Sequence, residues 1–129
     1  MRLVADQDPD DIFKKVEAHV RKFDPAIKVT YRSAMHPSRT RSDLEIVQFV
    51  TDAVHHAYGK TPLVQPSMPG SLPDYVWTDY LATPSIIMPY ANFDQHNHSP
   101  NENLKVENFF GGIKCTCNLV KELGGSYRG

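Results

Sequence analysis

Ten prolines interrupt this chain of 129 residues and limit the places where regular structure can form. Proline fixes its own φ angle and has no amide proton, so a helix accepts it in the first turn and not in the interior. The densest group lies between Thr61 and Pro73, where positions 62, 66, 69 and 73 are proline. That stretch predicts loop structure, with a short helix opening at Pro73 and covering residues 74–81.

Two amphipathic helices are predicted in the first half of the chain. Asp8 before Pro9 is a typical N-cap with proline in the first turn, and Pro25 disfavours helix in the residue before it, which predicts a helix from Pro9 to about Phe23. A second helix is expected to begin at the capping-box spacing of Ser42 and Glu45 and to end at Gly59.

A third helix is predicted at the end of the chain, from Val106 to Leu123, with Gly124 and Gly125 as its stop. Its apolar positions recur at helical spacing and are expected to share one buried side: Val106, Phe109, Phe110, Ile113, Cys117, Val120 and Leu123. Cys115 and Cys117 diverge on such a helix, so they are expected to be one core and one edge position and not a metal chelate.

Three short segments have the composition of strands: Arg2 to Val4, Ile27 to Tyr31 and Ser85 to Met88. Together with the helices they predict an α/β chain in an α+β arrangement. The polar, aperiodic residues 36–41 read as a connection, and we place a domain boundary near residue 40, between residues 1–40 and 41–129.

Composition excludes some partners. Lys and Arg number 14 against 15 Asp and Glu, a net charge of -1, which provides no field to attract nucleic acid. The apolar runs are far shorter than the roughly 20 residues that span a bilayer, and no signal peptide is recognisable. Two cysteines, two positions apart, favour a reducing compartment. We therefore expect a soluble, cytoplasmic protein without nucleic-acid or membrane partners.

The densest polar segment runs from Asn92 to Glu102 and contains His96 and His98. Histidine and carboxylate are zinc ligands, and a loop that leaves a buried strand can direct them into a cleft. If the segment is extended, the two histidines face opposite sides and only one of them can reach a given ion. From the residues alone, a solvated loop without a ligand is the alternative.

The segment from Tyr90 to Leu104, YANFDQHNHSPNENL, resembles the late His-Ser-Pro-Asn-Glu motif of the dinuclear zinc hydrolases related to aminoacylase, carnosine dipeptidase and carboxypeptidase G. Three other segments resemble the same family in the same order: RLVADQDPDDIF, GSLP and the last helix. The resemblance implies the end of a ferredoxin-like lid domain in residues 1–40 and the end of a zinc-peptidase catalytic domain in residues 41–129.

On this resemblance His98 corresponds to a metal ligand of the family. A ligating imidazole needs a partner that orients it, and Asn101 or Glu102 is a candidate, with stabilisation of the loop as the alternative role for both. His96 is not expected to bind the metal.

The resemblance also implies contacts with substrate. Arg2 matches an arginine that binds the terminal carboxylate of the substrate, a task that suits the two parallel donors of guanidinium. Gly70 and Ser71 resemble the loop at the same substrate end, where relatives often have a second glycine in place of Pro69. His36 falls near a histidine of the lid that reaches substrate in some relatives.

Two segments that the family uses for catalysis, His-x-Asp and Asp-Glu-Glu, do not occur in this sequence. A catalytic zinc needs about three protein ligands and a nearby general base, so one histidine does not suffice. We therefore expect no catalytic residue here. The chain is interpreted as an inactive fragment of a metallopeptidase that binds two zinc ions and cleaves dipeptides or N-acylated amino acids. The alternative is a folded piece that acts as a self-association module, and a homo-oligomer such as a dimer is expected.

Overall fold

A computed structural model describes residues 1–68 and 70–125. These residues form three α-helices and one short π-helix: α1 (Pro9–Phe23), α2 (Glu45–Tyr58), the π-helix (Val76–Tyr80) and α3 (Val106–Gly125). The chain divides into two compact units. The first contains Met1–Thr40 and Pro66–Ser85, and the second contains Arg41–Gln65 and the chain from Ile86 onward. The assignment of residues 1–40 to a lid domain and of residues 41–129 to a catalytic domain remains a prediction.

Local sequence signals determine both ends of α1. The Asp8 carboxylate accepts a hydrogen bond of 2.9 Å from the amide of Asp11, and Pro9 is the first helical residue. The helix ends at Phe23, ahead of Pro25, where the Asp24 amide still donates to the carbonyl of Val20. Both predicted ends are confirmed. Because proline disfavours helix in the residue before it, the helix stops here whatever packs against it.

Of the two predicted ends of α2, the structure confirms the C-terminal end and not the N-terminal capping box. Its last residue is followed by Gly59 in the left-handed conformation, at φ +66°, whose amide donates to the carbonyl of His55, as predicted. The predicted capping box is wrong, because the helix begins at Glu45 with Leu44 as its N-cap and no side-chain bond at this position.

The second unit has its core between α2 and α3. Val47, Val50, Ala53 and Ala57 are buried on α2, and Gly112 and Cys115 are buried on α3. Most of these side chains are small, which lets two helices approach closely. Cys115 is buried and Cys117 is exposed, so one cysteine is a core and the other an edge position as predicted, but the apolar stripe had placed Cys117, and not Cys115, on the buried side.

Most of the apolar face predicted for α3 is not the buried face. Its large side chains are exposed, with Phe110 at 63% and Val120 at 63% accessible. The face that packs on α2 instead contains Gly111, beside the ring of Tyr58, and Asn118, whose side-chain amide donates to the carbonyl of Ala53. Helical spacing identifies an apolar stripe, but the position of α2 decides which side of α3 is covered.

The three predicted strands are not formed, and the described residues contain helices without any strand. Near Arg2 to Val4 the backbone turns, because the Gln7 amide donates to the Val4 carbonyl. The Tyr31 ring packs edge-on against Phe13 of α1 at 4.8 Å, and the Ser85 amide donates to the Thr40 hydroxyl. A strand needs backbone partners on a neighbouring strand, and these segments have none among the described residues. The α/β class and the ferredoxin-like lid are therefore not confirmed.

Candidate functional site

The polar segment before α3, residues 91–104, is called here the histidine loop. Tyr90, directly before the loop, attaches it to α3: the Tyr90 hydroxyl lies 2.9 Å from the hydroxyl of Thr116. The Tyr90 ring lies so close to α3 that a Cβ atom at Gly112 would be 2.8 Å from its Cγ and Cδ2 atoms. The absence of a side chain at Gly112 therefore determines where the loop leaves the helix pair.

Asn92 joins the two ends of the histidine loop. Its side chain is 6% exposed, and its amide nitrogen donates to Asp94 Oδ1 at 2.9 Å and to Asn103 Oδ1 at 3.0 Å. Its carbonyl oxygen accepts from the backbone amide of Lys105 at 2.9 Å, one residue before α3 begins. A buried carboxamide with this many partners specifies one local backbone conformation.

Asn103 continues the same network from the other end of the loop. Its side-chain amide donates to the backbone carbonyls of Asp94 at 3.3 Å and Asn101 at 3.1 Å, and its backbone amide donates to the carbonyl of Gln95 at 2.9 Å. We call Asn92 and Asn103 together the amide bracket. Sequence reasoning missed both residues, although an asparagine near each end of a polar loop, beside predicted regular structure, was a signal.

At Asp94 an ion pair adds to the hydrogen bonds of the amide bracket. The hydrogen bond from Asn92 lowers the pKa of the Asp94 carboxyl below its ordinary value, and the Lys105 ammonium, 3.3 Å away, lowers it further. The carboxylate therefore stays ionised over the neutral pH range, in the form that accepts hydrogen bonds.

Three residues of the histidine loop have a left-handed backbone: His96 at φ +57°, His98 at φ +58° and Asn101 at φ +63°. This conformation is unfavourable for residues with a Cβ atom, although asparagine tolerates it better than most. The loop turns at these residues, and the Ser99 amide donates to the His96 carbonyl at 2.9 Å. The extended segment from which we argued that His96 and His98 face opposite sides is therefore wrong.

Neither imidazole of the loop is used within the described structure. His96 and His98 are exposed and have no hydrogen-bond or ionic partner among the described residues, and the same holds for the Glu102 carboxylate. The backbone carbonyl of Asn101 accepts a hydrogen bond from the Asn103 side chain, and the roles of Asn101 and Glu102 beside His98 remain predictions.

The donor set for zinc is incomplete in this chain. A neutral imidazole suits zinc, but a closed site requires about four ligands and a catalytic site about three. No group of three histidine, cysteine, aspartate or glutamate side chains able to bind a metal occurs among residues 1–68 and 70–125. The described residues therefore do not form a zinc site by themselves.

The residues predicted to contact substrate lie in the first unit. Arg2, His36, Gly70 and Ser71 are all exposed, and no hydrogen bond, ion pair or ring contact joins them in the part of the chain that is described. The His36 ring lies 5.7 Å from the ring of Tyr75, which sequence reasoning did not single out.

Gly70 has one close neighbouring side chain among the described residues. A Cβ atom at Gly70 would be 2.9 Å from Cε of Met68, so its neighbour is the mobile end of a side chain and not the backbone. Pro69, where relatives of the resembled family often have a second glycine, lies outside the described residues. The predicted roles of these residues are not tested by their positions.

A similar protein is found by comparison of structures and not by comparison of sequences. No family model matches this chain, and no curated protein matches it. A solved structure does: the M20 family metallo-carboxypeptidase Sso-CP2 from Sulfolobus solfataricus, with 25% identity and a TM-score of 0.80. The match covers 93% of this chain and 28% of the carboxypeptidase, so the chain spans less than a third of its length.

The structural match supports a likeness to part of an M20 metallopeptidase, a class of hydrolase. It agrees in family type with the resemblance read from the sequence. No helix in the described part of the chain combines the length and apolar content needed to cross a bilayer.

Proposed function

We propose that this chain is a portion of an M20-type metallopeptidase in which His98 contributes one ligand to zinc. The observation that carries the proposal is the structural match over 93% of the chain at a TM-score of 0.80. The order of residues in the histidine loop, with His98 at the start of His-Ser-Pro-Asn-Glu, adds an independent argument from the sequence.

The geometry of His98 agrees with this role. Its imidazole is exposed and has no partner among the described residues, while the backbone on both sides belongs to a loop closed by the amide bracket. A loop whose backbone is constrained before a ligand binds loses less conformational entropy on binding than a free loop. His96 has the same exposure, so the choice between the two rests on the resemblance.

The substrate roles follow from the same proposal. Arg2 binds the carboxylate of a dipeptide or N-acyl amino acid through two parallel hydrogen bonds, and Gly70 and Ser71 contact the same end of the substrate. His36 reaches the substrate from the lid, and Tyr75 lies beside it. The remaining metal ligands and the general base would be supplied from outside these 129 residues, so we expect the chain alone neither to hydrolyse substrate nor to retain zinc tightly.

A second candidate function is self-association without catalysis. It is favoured by the exposed apolar side chains of α3, among them Phe109 at 53% and Phe110 at 63% accessible. Exposed apolar patches of this kind are typical of surfaces that bind another protein molecule. In either case we expect a cytoplasmic homo-oligomer.

The test uses the full-length protein that carries these residues. His98→Ala is compared with His96→Ala, since both histidines are exposed, left-handed and in one loop. We expect His98→Ala to lose zinc and turnover of dipeptides and N-acetyl amino acids, and His96→Ala to retain most of both. Equal zinc content in the two variants, or a larger loss in His96→Ala, would contradict the proposal.

The 129-residue chain provides the complementary measurement. Zinc content after dialysis and hydrolysis of the same substrates are both expected to be at background. Hydrolysis that survives extensive purification, stops with a chelator and returns with zinc would show that the chain is complete in itself. Light scattering then tests the second candidate, self-association, by comparing the molar mass of the chain with that of its Phe110→Ser variant. Self-association through α3 predicts a larger mass for the parent than for the variant.

A further inference from the structure

The strained part of the histidine loop lies entirely inside the amide bracket. His96, His98 and Asn101 have positive φ angles, and all three fall between Asn92 and Asn103. Residues persist in sparsely populated conformations when the surrounding contacts determine them, and such residues concentrate at functional sites. In this loop most of the hydrogen bonds that could determine them come from the two asparagines, beside the bond from the Ser99 amide to the His96 carbonyl.

The amide bracket constrains the backbone and leaves the imidazoles unused. Asn92 contacts the loop at Asp94, Asn103 and Lys105, and Asn103 contacts it at Asp94, Gln95 and Asn101, in each case through the bonds given above. None of these contacts involves a histidine side chain. The loop is therefore constrained on both sides of His98 while His98 stays accessible.

We propose that Asn92 is a positioning residue: with Asn103, its carboxamide sets the loop conformation in which His98 meets zinc. This inference rests on the proposed function, because it takes His98 as the ligand. The inference adds Asn92, which has no direct hydrogen bond to His98 in the described structure. It predicts that the burial and hydrogen bonding of Asn92 control metal affinity through the backbone of the loop. Outer contacts of this kind typically change metal affinity by about 10–100-fold.

The first measurement concerns the loop and needs no metal. Amide hydrogen exchange of the 129-residue chain is followed by NMR in Asn92→Ala, in the milder Asn103→Ala at an exposed position, and in Asn97→Ala as the matched control. Asn97 is an exposed asparagine of the same loop without a hydrogen-bond partner among the described residues.

We expect exchange of the Ser99 and Asn103 amides to quicken about tenfold in both bracket variants and to stay unchanged in Asn97→Ala. Amides of α2 report whether the fold is intact. Unchanged exchange in both bracket variants, or an equal change in Asn97→Ala, would overturn the inference.

The second measurement is zinc affinity in the full-length protein, taken as the free zinc concentration at half occupancy. Asn92→Ala should raise this concentration about 10–100-fold and Asn97→Ala should leave it within about twofold of the parent. In a His98→Ala background Asn92→Ala should have no further effect, because the two residues act on one ligand. A role in general stability would add its effect in both backgrounds.

The outcomes separate the two proposals. If His98→Ala leaves zinc affinity unchanged, the proposed function fails and this inference fails with it. If His98→Ala lowers zinc affinity while Asn92→Ala does not, or if the effect of Asn92→Ala is the same with and without His98, the inference alone is overturned.

Discussion

The α2–α3 helix pair and the histidine loop belong to one unit but are stabilised in different ways. In the helix pair, Ala53 and Cys115 are fully buried, at 0% exposure, and backbones approach because the side chains between them are small. In the loop, the one buried side chain is polar: Asn92 at 6%. The first depends on shape and the second on hydrogen-bond geometry.

The difference teaches what each region tolerates. Close packing is sensitive to added volume, because a dense interior cannot expand without moving several groups. A polar bracket is sensitive to the loss of one donor or acceptor, because a buried partner is left unsatisfied. The predictions below test this contrast, beginning with the largest expected effect.

Added volume on α3 is tested by Gly112→Ala, at the close contact with Tyr90 that precedes the histidine loop. The new Cβ atom would meet Cγ and Cδ2 of Tyr90 at 2.8 Å and Cβ of Tyr90 at 3.2 Å, near the backbone, where the ring cannot move away. We expect the free energy of unfolding to fall by about 1–3 kcal/mol in a urea titration, in spite of the gain of about 1 kcal/mol in helix propensity.

Its control is Gly111→Ala. That Cβ atom would lie 3.1 Å from Cε1 of Tyr58, the far end of a side chain that can rotate. We expect a change between neutral and a gain of about 1 kcal/mol. If both variants were equally destabilised, the close contact between Gly112 and Tyr90 would not be the cause of the loss.

A polar contact inside the helix pair is tested by Asn118→Ala. Asn118 donates from its amide to the carbonyl of Ala53 at 3.2 Å and to the carboxylate of Glu122 at 2.8 Å. Its loss should cost about 0.5–1.5 kcal/mol of unfolding free energy. Asn108→Ala on the same helix should cost less, because no side-chain bond of Asn108 is present among the described residues. A cost at Asn118 no larger than at Asn108 would argue that the hydrogen bond from Asn118 to Ala53 does not stabilise the helix pair.

Acid should loosen the histidine loop through Asp94. The pKa of its carboxyl is lowered in the folded chain, first by the hydrogen bond from Asn92, so the stabilisation is present above the ordinary carboxyl pKa of about 4 and is lost as pH falls through the lowered folded value. NMR shifts of the Asn92 side-chain amide between pH 7 and pH 2 report this step. Asp94→Asn should remove it, and a step that persists in this variant would belong to another group.

The smallest effects are expected at the histidines themselves. In the 129-residue chain, His96→Ala and His98→Ala should each change the free energy of unfolding by less than about 0.5 kcal/mol, because both side chains are exposed and without partners among the described residues. A large loss of stability in either variant would mean that the histidine contributes to the fold and is not reserved for a ligand.

The candidate site was predictable in part. An exposed loop that carries His98 follows from polar composition, since residues 92–102 offer no apolar face to bury. Its shape did not follow. The left-handed backbone at His98 lies between residues that are joined by hydrogen bonds across up to 13 positions, such as Lys105 to the buried Asn92. Periodicity carries no information about such pairs.

By itself the sequence determined three helix ends through signals that act within one turn, although the predicted capping box of α2 and the predicted stop of α3 before Gly124 were wrong. Asp8 and the prolines at 9 and 25 place both ends of α1, and Gly59 ends α2, because a cap or a missing amide acts on the nearest backbone groups. Tertiary structure alone decided which side of α3 is buried, and it left the predicted strands unpaired. Burial and strand pairing are properties of two segments at once, so neither can be read from one of them.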